Sequence, residues 1–349
     1  MNSLTSQLLA GESLSDEQIV AAANGLLDES GPADEKAAFL RALADKGETP
    51  AEIAGFVGAF LERAVVPRID RRGLGKPLID VCGTGGDRLD LFNISTASVF
   101  VLAASGVAVV KHGNRGITSK SGGADALEAL GIRIDLPAEA FGDCLAEVGA
   151  GFLFAPLYHP AFKAVAPVRQ QLAREGRRTI FNLLGPLLNP ARPDYQLLGV
   201  FDESLTEPFA DILGRLGRTR AWAVHGHTES GAGMDELSSV GPNTVWETAA
   251  GGGRRRFEID PAEHGIRGAS VSELRGGEAV ENAAIITGIL GGEIDGPRRD
   301  IVCLNAAAGL TICGQAADLD AGLRLAAEAI DSGAALGVLG AWQRFSARA

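Results

Sequence analysis

Apolar positions fall into two regimes along this chain. Through the first 70 residues they recur at helical spacing. Ile53, Phe56, Val57, Phe60 and Leu61 stand at i, i+3, i+4, i+7 and i+8, one stripe on one helix. Ser15-x-x-Gln18 and Thr49-x-x-Glu52 read as capping boxes, with Pro50 at the first helical position of the second. Earlier helices are expected near residues 19–27 and 37–43, and residues 65–76, with Pro67 and Gly73, read as a linker. After residue 77 short apolar runs alternate with helical stretches, and strands are predicted at 78–81, 107–110, 151–154, 196–200 and 221–224. That alternation predicts an α/β fold, a mostly parallel central sheet flanked by helices, preceded by a small all-helical N-terminal domain. The tail from residue 318 is alanine-rich and reads as covering helix.

The first two strands organise the rest. Residues 78–81 empty into Gly83-Thr84-Gly85-Gly86-Asp87, and 107–110 into Lys111-His112-Gly113-Asn114-Arg115, with residues 95–105 as the helix between them. A crossover of this kind puts both loops at the same carboxyl edge of the sheet, where open α/β sheets bind ligands. The first loop is not a dinucleotide fingerprint, because Arg88 stands at the third glycine position, and the chain has no P-loop. Its glycines can still bring backbone N–H groups close to an anion. Asn93-Ile94-Ser95-Thr96 opens the next helix and offers hydroxyls and free N–H groups to a phosphate or a metal. Lys111, Arg115 and Lys120, among Gly113, Gly116, Ser119, Ser121, Gly122 and Gly123, suit a polyanion such as pyrophosphate. Asp235-Glu236, inside a glycine-rich stretch read as a surface loop, follows the strand at 221–224 as the glycine loop follows 78–81, which places both at the same sheet edge. The pair could hold Mg²⁺, though such pairs are also common surface decoration.

Composition narrows the class. The 349 residues are 46% hydrophobic and 22% charged, an ordinary globular balance with room for one large domain or two. A net charge of −12 argues against nucleic-acid or anionic-membrane binding, which demand a basic surface. Cys82, Cys144, Cys303 and Cys313 are far apart with no C-x-x-C pair, so neither a disulfide framework nor a zinc knuckle is indicated. No apolar run reaches the length of a membrane span, and the N-terminus lacks a basic region followed by an apolar one. A cytoplasmic location is the expectation. His225-Gly226-His227 would suggest a metallohydrolase only if further ligands recurred nearby, and none do.

Taken together, GTGGD, FNIST, KHGNR, SKSGGAD, VAPVR, NLLGPLLNP and GMDELS resemble the anthranilate phosphoribosyltransferase family, in order and spacing over nearly the whole chain. The resemblance implies a helical domain of residues 1–70, joined by helices from about 161–185, and an α/β domain over 77–349. It implies that the amine of anthranilate displaces pyrophosphate from C1 of phosphoribosyl pyrophosphate (PRPP). Mg²⁺ is implied too, two ions being expected with the substrate diphosphate, and no covalent catalytic residue. On this resemblance Gly83, Gly86, Asp87, Leu91, Asn93, Ile94, Ser95, Thr96, Lys111, His112, Gly113, Asn114, Arg115, Ser119 and Gly123 would hold PRPP. Gly83, Asn114, Arg169, His112 and His159 would face anthranilate, with Arg169 on its carboxylate, and Ser95, Asp235 and Glu236 would meet the metal. A homodimer through the N-terminal helices is implied as well, the stripe from Ile53 to Leu61 being expected to extend beyond what its own domain can cover. Two departures stand out: Arg88-Leu89-Asp90-Leu91 where smaller residues and a threonine are expected, and Tyr158-His159 in place of two histidines. A pyrimidine-nucleoside phosphorylase shares the fold and a similar segment from Arg115 to Glu128, but uses phosphate, so Asp235-Glu236 argues against it. A nucleic-acid-binding relative should be basic and lack Arg169 and Asn114.

Overall fold

The computed structural model describes residues 1–116, 120–266 and 268–349. Four helices come first, α1 (Asn2–Leu9), α2 (Asp16–Leu27), α3 (Ala33–Lys46) and α4 (Pro50–Leu61). Both expected capping boxes form: Ser15 accepts from Gln18 N–H and Thr49 from Glu52 N–H, with the reciprocal side-chain bonds present. A short helix, α5 (Arg71–Leu74), leads into the sheet. The chain then runs β1 (Leu78–Gly83), α6 (Ile94–Ala104), β2 (Ala108–Gly113), α7 (Gly123–Ala129), α8 (Ala138–Val148) and β3 (Ala150–Phe154). Three short helices follow, α9 (Ala155–Tyr158), α10 (Ala166–Arg174) and α11 (Phe181–Leu184). After them come β4 (Tyr195–Gly199), α12 (Thr206–Arg215), β5 (Arg220–His227), β6 (Gly233–Met234), β7 (Asn243–Ala249) and β8 (Arg254–Ile259). Helices α13 (Ala279–Leu290), α14 (Pro297–Ile312), α15 (Leu319–Asp331) and α16 (Ala334–Arg348) close the chain.

The strand order is β3-β2-β1-β4-β5-β7-β8, with β6 paired to β5. Strands β1 to β5 are parallel, while β6, β7 and β8 add on antiparallel. The chain winds outward from β1 in one direction and returns on its other side through β4, so the β1/β4 boundary is where strand order reverses. Ligands of open α/β sheets bind at the carboxyl edge of such a point. Sequence reading missed the antiparallel strands. Arg254, Arg255 and Arg256 on β8 break any apolar alternation, and they sit on an edge strand paired with acids such as Asp211, Glu247 and Glu258.

Strand alternation divides the core. Ile79, Val81, Val109, Leu197 and Val224 face one layer with α6, α13, α14 and α16. Cys82, Leu198, Val200, Ala221 and Ala223 face the other, in one cluster with the N-terminal helices and residues 165–188. There α4 packs on α12, and α3 on α10. This arrangement corrects one expectation. The stripe Ile53, Phe56, Val57, Phe60 and Leu61 is buried within the chain itself, with Phe60 against Phe162 and Phe181, and leaves no apolar face for a partner. The exposed apolar residues of the N-terminal helices are Leu9 and Val20, at 71% and 50% exposure. The alanine-rich tail is more than cover, since α16 inserts a fully buried Trp342 against Phe100 of α6. Among the described residues no helix is long and apolar enough to cross a membrane.

Candidate active site

Two glycines decide where the distant acids go. Gly83 and Gly199 are register partners at the ends of β1 and β4. The backbone of Asp235 passes directly over them: a Cβ on Gly199 would overlap the Asp235 carbonyl, and one on Gly83 would lie 2.8 Å from the same oxygen. Asn305 of α14 pins the next turn, its Oδ1 accepting from Leu237 N–H at 3.0 Å and its Nδ2 donating to Leu237 C=O at 2.9 Å. The pair therefore stands at the expected sheet edge, between the ends of β1 and β4, but enclosed there and not on an exposed surface loop. Asp235 Oδ2 accepts from Gly85 N–H at 2.6 Å, and Glu236 Oε1 from Ser95 N–H, in the first turn of α6, at 3.1 Å.

The acids of this corner crowd one another. Burial, followed by the charges of Asp87 and Glu236, pushes the Asp235 carboxyl well above the usual carboxylate range. Burial pushes Glu236 up to about 7, opposed by Lys111 and the Ser95 N–H. Lys111 is itself buried and donates from Nζ to Val81 C=O at 2.8 Å and to Ser95 Oγ at 3.1 Å. Asp87 thus joins the acid pair, a convergence the sequence reading did not assign. Crowded carboxylates with only oxygen donors beside a serine hydroxyl fit Mg²⁺. Among the described residues no three His, Cys, Asp or Glu side chains are disposed to hold an ion by themselves. That suits a cation that keeps waters and substrate oxygens in its shell.

Around the acids lies a cleft of about 830 Å³, within the range of small-molecule sites. Gly83, Gly86, Asp87, Leu91, Asn93, Ile94, Ser95, Thr96, Lys111, His112, Gly113, Asn114, Arg115 and Gly123 all line it, as do Arg169 and His159. Ser119 lies outside the described residues. Several of these residues already have partners within the chain. Ile94 packs its side chain in the core and gives its N–H to Phe92 C=O at 2.8 Å. Arg115 pairs with Asp125 and Glu128 and lies over the Phe154 ring, while Lys120 pairs with Asp90 at 3.4 Å. Of the three cations, Lys111 is the one built into the floor of the cleft. Leu91 forms a bridge with Arg275, flanked by Arg88 and Asp90 in left-handed backbone (φ 59° and 54°). Such φ values cost energy for residues with a Cβ, so the surrounding structure must hold this turn.

The loop after β2 is held from below. Asp125 accepts from Gly116 N–H and Gly122 N–H, both at 2.8 Å. Gly122 has no room for a side chain, since a Cβ would lie 2.7 Å from the Arg115 carbonyl carbon. Thr96 stands on α6 beside Gly123, with its Oγ1 buried and, among the described residues, unpartnered. A hydroxyl left in that state costs stability unless a ligand meets it.

The other end of the cleft is aromatic. His112 and His159 meet edge to face at 5.2 Å, and His159 stacks on Phe162 at 5.3 Å while its Nε2 bonds Leu188 C=O at 2.9 Å. Burial, reinforced by His159, lowers His112 to about 3, and burial lowers His159 as well, so both rings are neutral near pH 7. Arg169 lies 4.8 Å over the Phe181 ring; burial lowers its pKa, and among the described residues no carboxylate pairs with it. Phe162, Phe181, Leu188 and Arg178 complete this wall. None stands out in the sequence, because an isolated aromatic in a helical stretch reads as core. His225 and His227 lie elsewhere, the first bonded to Val200 C=O and the second 3.8 Å from Glu203.

Comparisons with known proteins identify the family. Residues 75–336 match the family described as Glycosyl transferase family, a/b domain, and residues 2–64 its helical bundle domain. An anthranilate phosphoribosyltransferase of Chloroflexus aggregans is 48% identical over 300 residues, 86% of this chain and 85% of its own. The crystal structure of anthranilate phosphoribosyltransferase from Thermus thermophilus matches with a TM-score of 0.89 at 42% identity, over 99% of both chains. The Saccharomyces cerevisiae enzyme in complex with PRPP and Mg matches with a TM-score of 0.87 at 26% identity, over 100% of this chain and 98% of that one. The chain belongs to the Glycosyl transferase family and, within it, to the anthranilate phosphoribosyltransferases.

Proposed function

We propose that this chain transfers the phosphoribosyl group of PRPP to the amine of anthranilate, giving N-(5-phosphoribosyl)anthranilate and pyrophosphate, the second step of tryptophan synthesis from chorismate. One observation carries the reading: a single cleft joins an anion-binding corner, with Lys111, the α6 N-terminus and three carboxylates, to an aromatic end with an uncommitted arginine. Displacement at C1 leaves positive charge on the sugar and negative charge on the leaving diphosphate. Lys111, Thr96 and the glycine loop Gly83–Gly86 face that negative charge, and dipoles placed in advance stabilise it without reorganisation. Mg²⁺, when bound, neutralises diphosphate charge, and Ser95, Asp235 and Glu236, with Asp87 beside them, are the residues that would hold it.

PRPP contacts are assigned to Gly83, Gly86, Asp87, Asn93, Ser95, Thr96, Lys111, Gly113, Asn114 and Gly123, with the backbone at Leu91 and Ile94 as wall. Arg169 takes the anthranilate carboxylate through its planar fork, and His112, His159 and Asn114 flank the ring. The arylamine is neutral and nucleophilic at pH 7, so no strong base is required. Neutral His112 and His159 suit an apolar ring better than charged ones would. We assign residues 1–70, with helices from about 161–185, to a helical domain and 77–349 to the α/β domain. The enzyme is proposed to be a cytoplasmic homodimer through its N-terminal helices, around Leu9 and Val20.

Loss of anthranilate fluorescence on adding enzyme, Mg²⁺ and PRPP tests the reading. Activity is expected only with all three present. No loss, together with phosphate-dependent cleavage of a pyrimidine nucleoside, would move the chain to the phosphorylases.

A further inference from the structure

Asn93, in the anion corner, is held by a residue far along the chain. Asn282 lies in the first turn of α13, almost wholly buried, and donates from Nδ2 to Asn93 Oδ1 at 2.8 Å. Its own Oδ1 accepts from Gly277 N–H at 2.8 Å. A backbone N–H can only donate, so the oxygen of Asn282 must face Gly277 and its amide nitrogen must face Asn93. Asn93 must then present its oxygen to Asn282, an oxygen that also accepts from Ser121 Oγ at 3.2 Å. Its amide nitrogen is left facing the Ser121 carbonyl at 3.1 Å and the cleft. The Gly277 N–H thus orients Asn282, and Asn282 together with the Ser121 carbonyl orients Asn93.

The surroundings are built to keep this relay in register. A Cβ on Gly276 would come within 2.6 Å of Phe92 Cα, so the 274–277 segment lies flush against the approach to α6. Phe92 N–H bonds Leu274 C=O at 3.2 Å, and Gly276 N–H bonds Asp90 C=O at 2.9 Å. Asn93 has two amide hydrogens, and the Ser121 carbonyl takes one. The other has no partner among the described residues, and Asn93 lines the cleft.

We infer that Asn282 is a positioning residue for PRPP: itself oriented by the Gly277 N–H, it holds the Asn93 amide in register with the Ser121 carbonyl, so that Asn93 offers a donor rather than an acceptor to the substrate's diphosphate. This inference rests on the PRPP reading of the cleft.

Asn282→Asp is nearly isosteric and keeps the acceptor for Gly277 N–H, but it has no hydrogen to give Asn93. The Asn93 oxygen then meets a carboxylate, and the amide either keeps that repulsion or turns its nitrogen toward α13 and gives up its bond to the Ser121 carbonyl; in both cases its donor to the diphosphate is no longer held in place. The expected result is a rise of roughly tenfold to a hundredfold in KM for PRPP, the range for losing a hydrogen bond to a charged group. KM for anthranilate at saturating PRPP should stay within about twofold. In an Asn93→Ala background the Asn282→Asp change should add nothing further, because its effect passes through that amide. Asn282→Ala, which frees Asn93 without reversing it, should give a smaller rise. The inference is overturned if Asn282→Asp leaves KM for PRPP unchanged, if both substrates lose affinity equally with a fall in melting temperature, or if the double variant shows additive losses. Wild-type enzyme showing no PRPP-dependent loss of anthranilate fluorescence would overturn the functional reading itself, a distinct outcome.

Discussion

Arg169 shows how a residue's surroundings announce its task. Its guanidinium rests on Phe181 in the cleft, and among the described residues no acid pairs with it, which is why we assign it to the anthranilate carboxylate. Arg169→Ala should raise KM for anthranilate steeply and leave that for PRPP nearly unchanged, since losing one partner of a desolvated pair typically costs about 2–5 kcal/mol. Equal losses for both substrates would show that it shapes the fold instead. Asp80, fully buried on β1, has a different character. It accepts from Asn189 Nδ2 at 2.9 Å and from His112 N–H at 3.4 Å, yet burial still raises its pKa from 3.8 to about 6. A raised folded pKa means that its stabilising contribution is full below pH 3.8 and is lost as pH rises to about 6. That loss is on the order of 3 kcal/mol. Asp80→Asn should therefore flatten the wild-type fall in melting temperature between pH 4 and pH 6, whatever its absolute stability; parallel curves would refute this. The acid pair follows the same logic. Asp235→Asn with Glu236→Gln keeps acceptors for the Gly85 and Ser95 N–H groups while removing crowded charge. Melting temperature at pH 8 should hold or rise, and the magnesium dependence of the rate should be lost along with turnover. An unaltered magnesium curve would place the ion elsewhere.

Elements matter here chiefly through what crosses them. The 233–237 segment runs over the ends of β1 and β4 only because Gly83 and Gly199 lack side chains. Gly199→Ala should displace the acid pair. Overpacking of this kind costs about 1–3 kcal/mol, and a misplacement near 1 Å can cost about a hundredfold in rate. Activity should fall much further than thermal stability, measured side by side; a variant with full activity would show that the segment yields without harm. The strands that carry these loops were legible as apolar runs. Strands β7 and β8 were not, because an antiparallel edge needs only one apolar face, and the arginines of β8 draw on partners that no local pattern reveals.

At the scale of the whole molecule, the N-terminal helices share a core with one face of the sheet through α10 and α12. The stripe expected to extend beyond its own domain is used up inside the chain, so the proposed dimer through the N-terminal helices would draw instead on their exposed residues Leu9 and Val20. Light scattering at micromolar concentration should report a mass near twice 36.1 kDa, and Leu9→Glu with Val20→Glu should halve it. A monomeric wild type would end the dimer proposal.

Periodicity and punctuation in the sequence determined the layered α/β plan, the N-terminal helices with their caps, and the two glycine loops at the carboxyl edge. All of these follow from burial repeating every two or 3.6 residues and from the backbone freedom of glycine, which act over a few residues at a time. Only the tertiary structure decided which charges meet. It brought Asp235 to Gly85 and Glu236 to Ser95 across separations of 150 and 141 residues, gave Arg115 to Asp125 and Glu128, and set Asn282 behind Asn93. Hydrogen bonds and ion pairs fall away within a few ångströms, so their partners follow from spatial packing and leave no period in the chain.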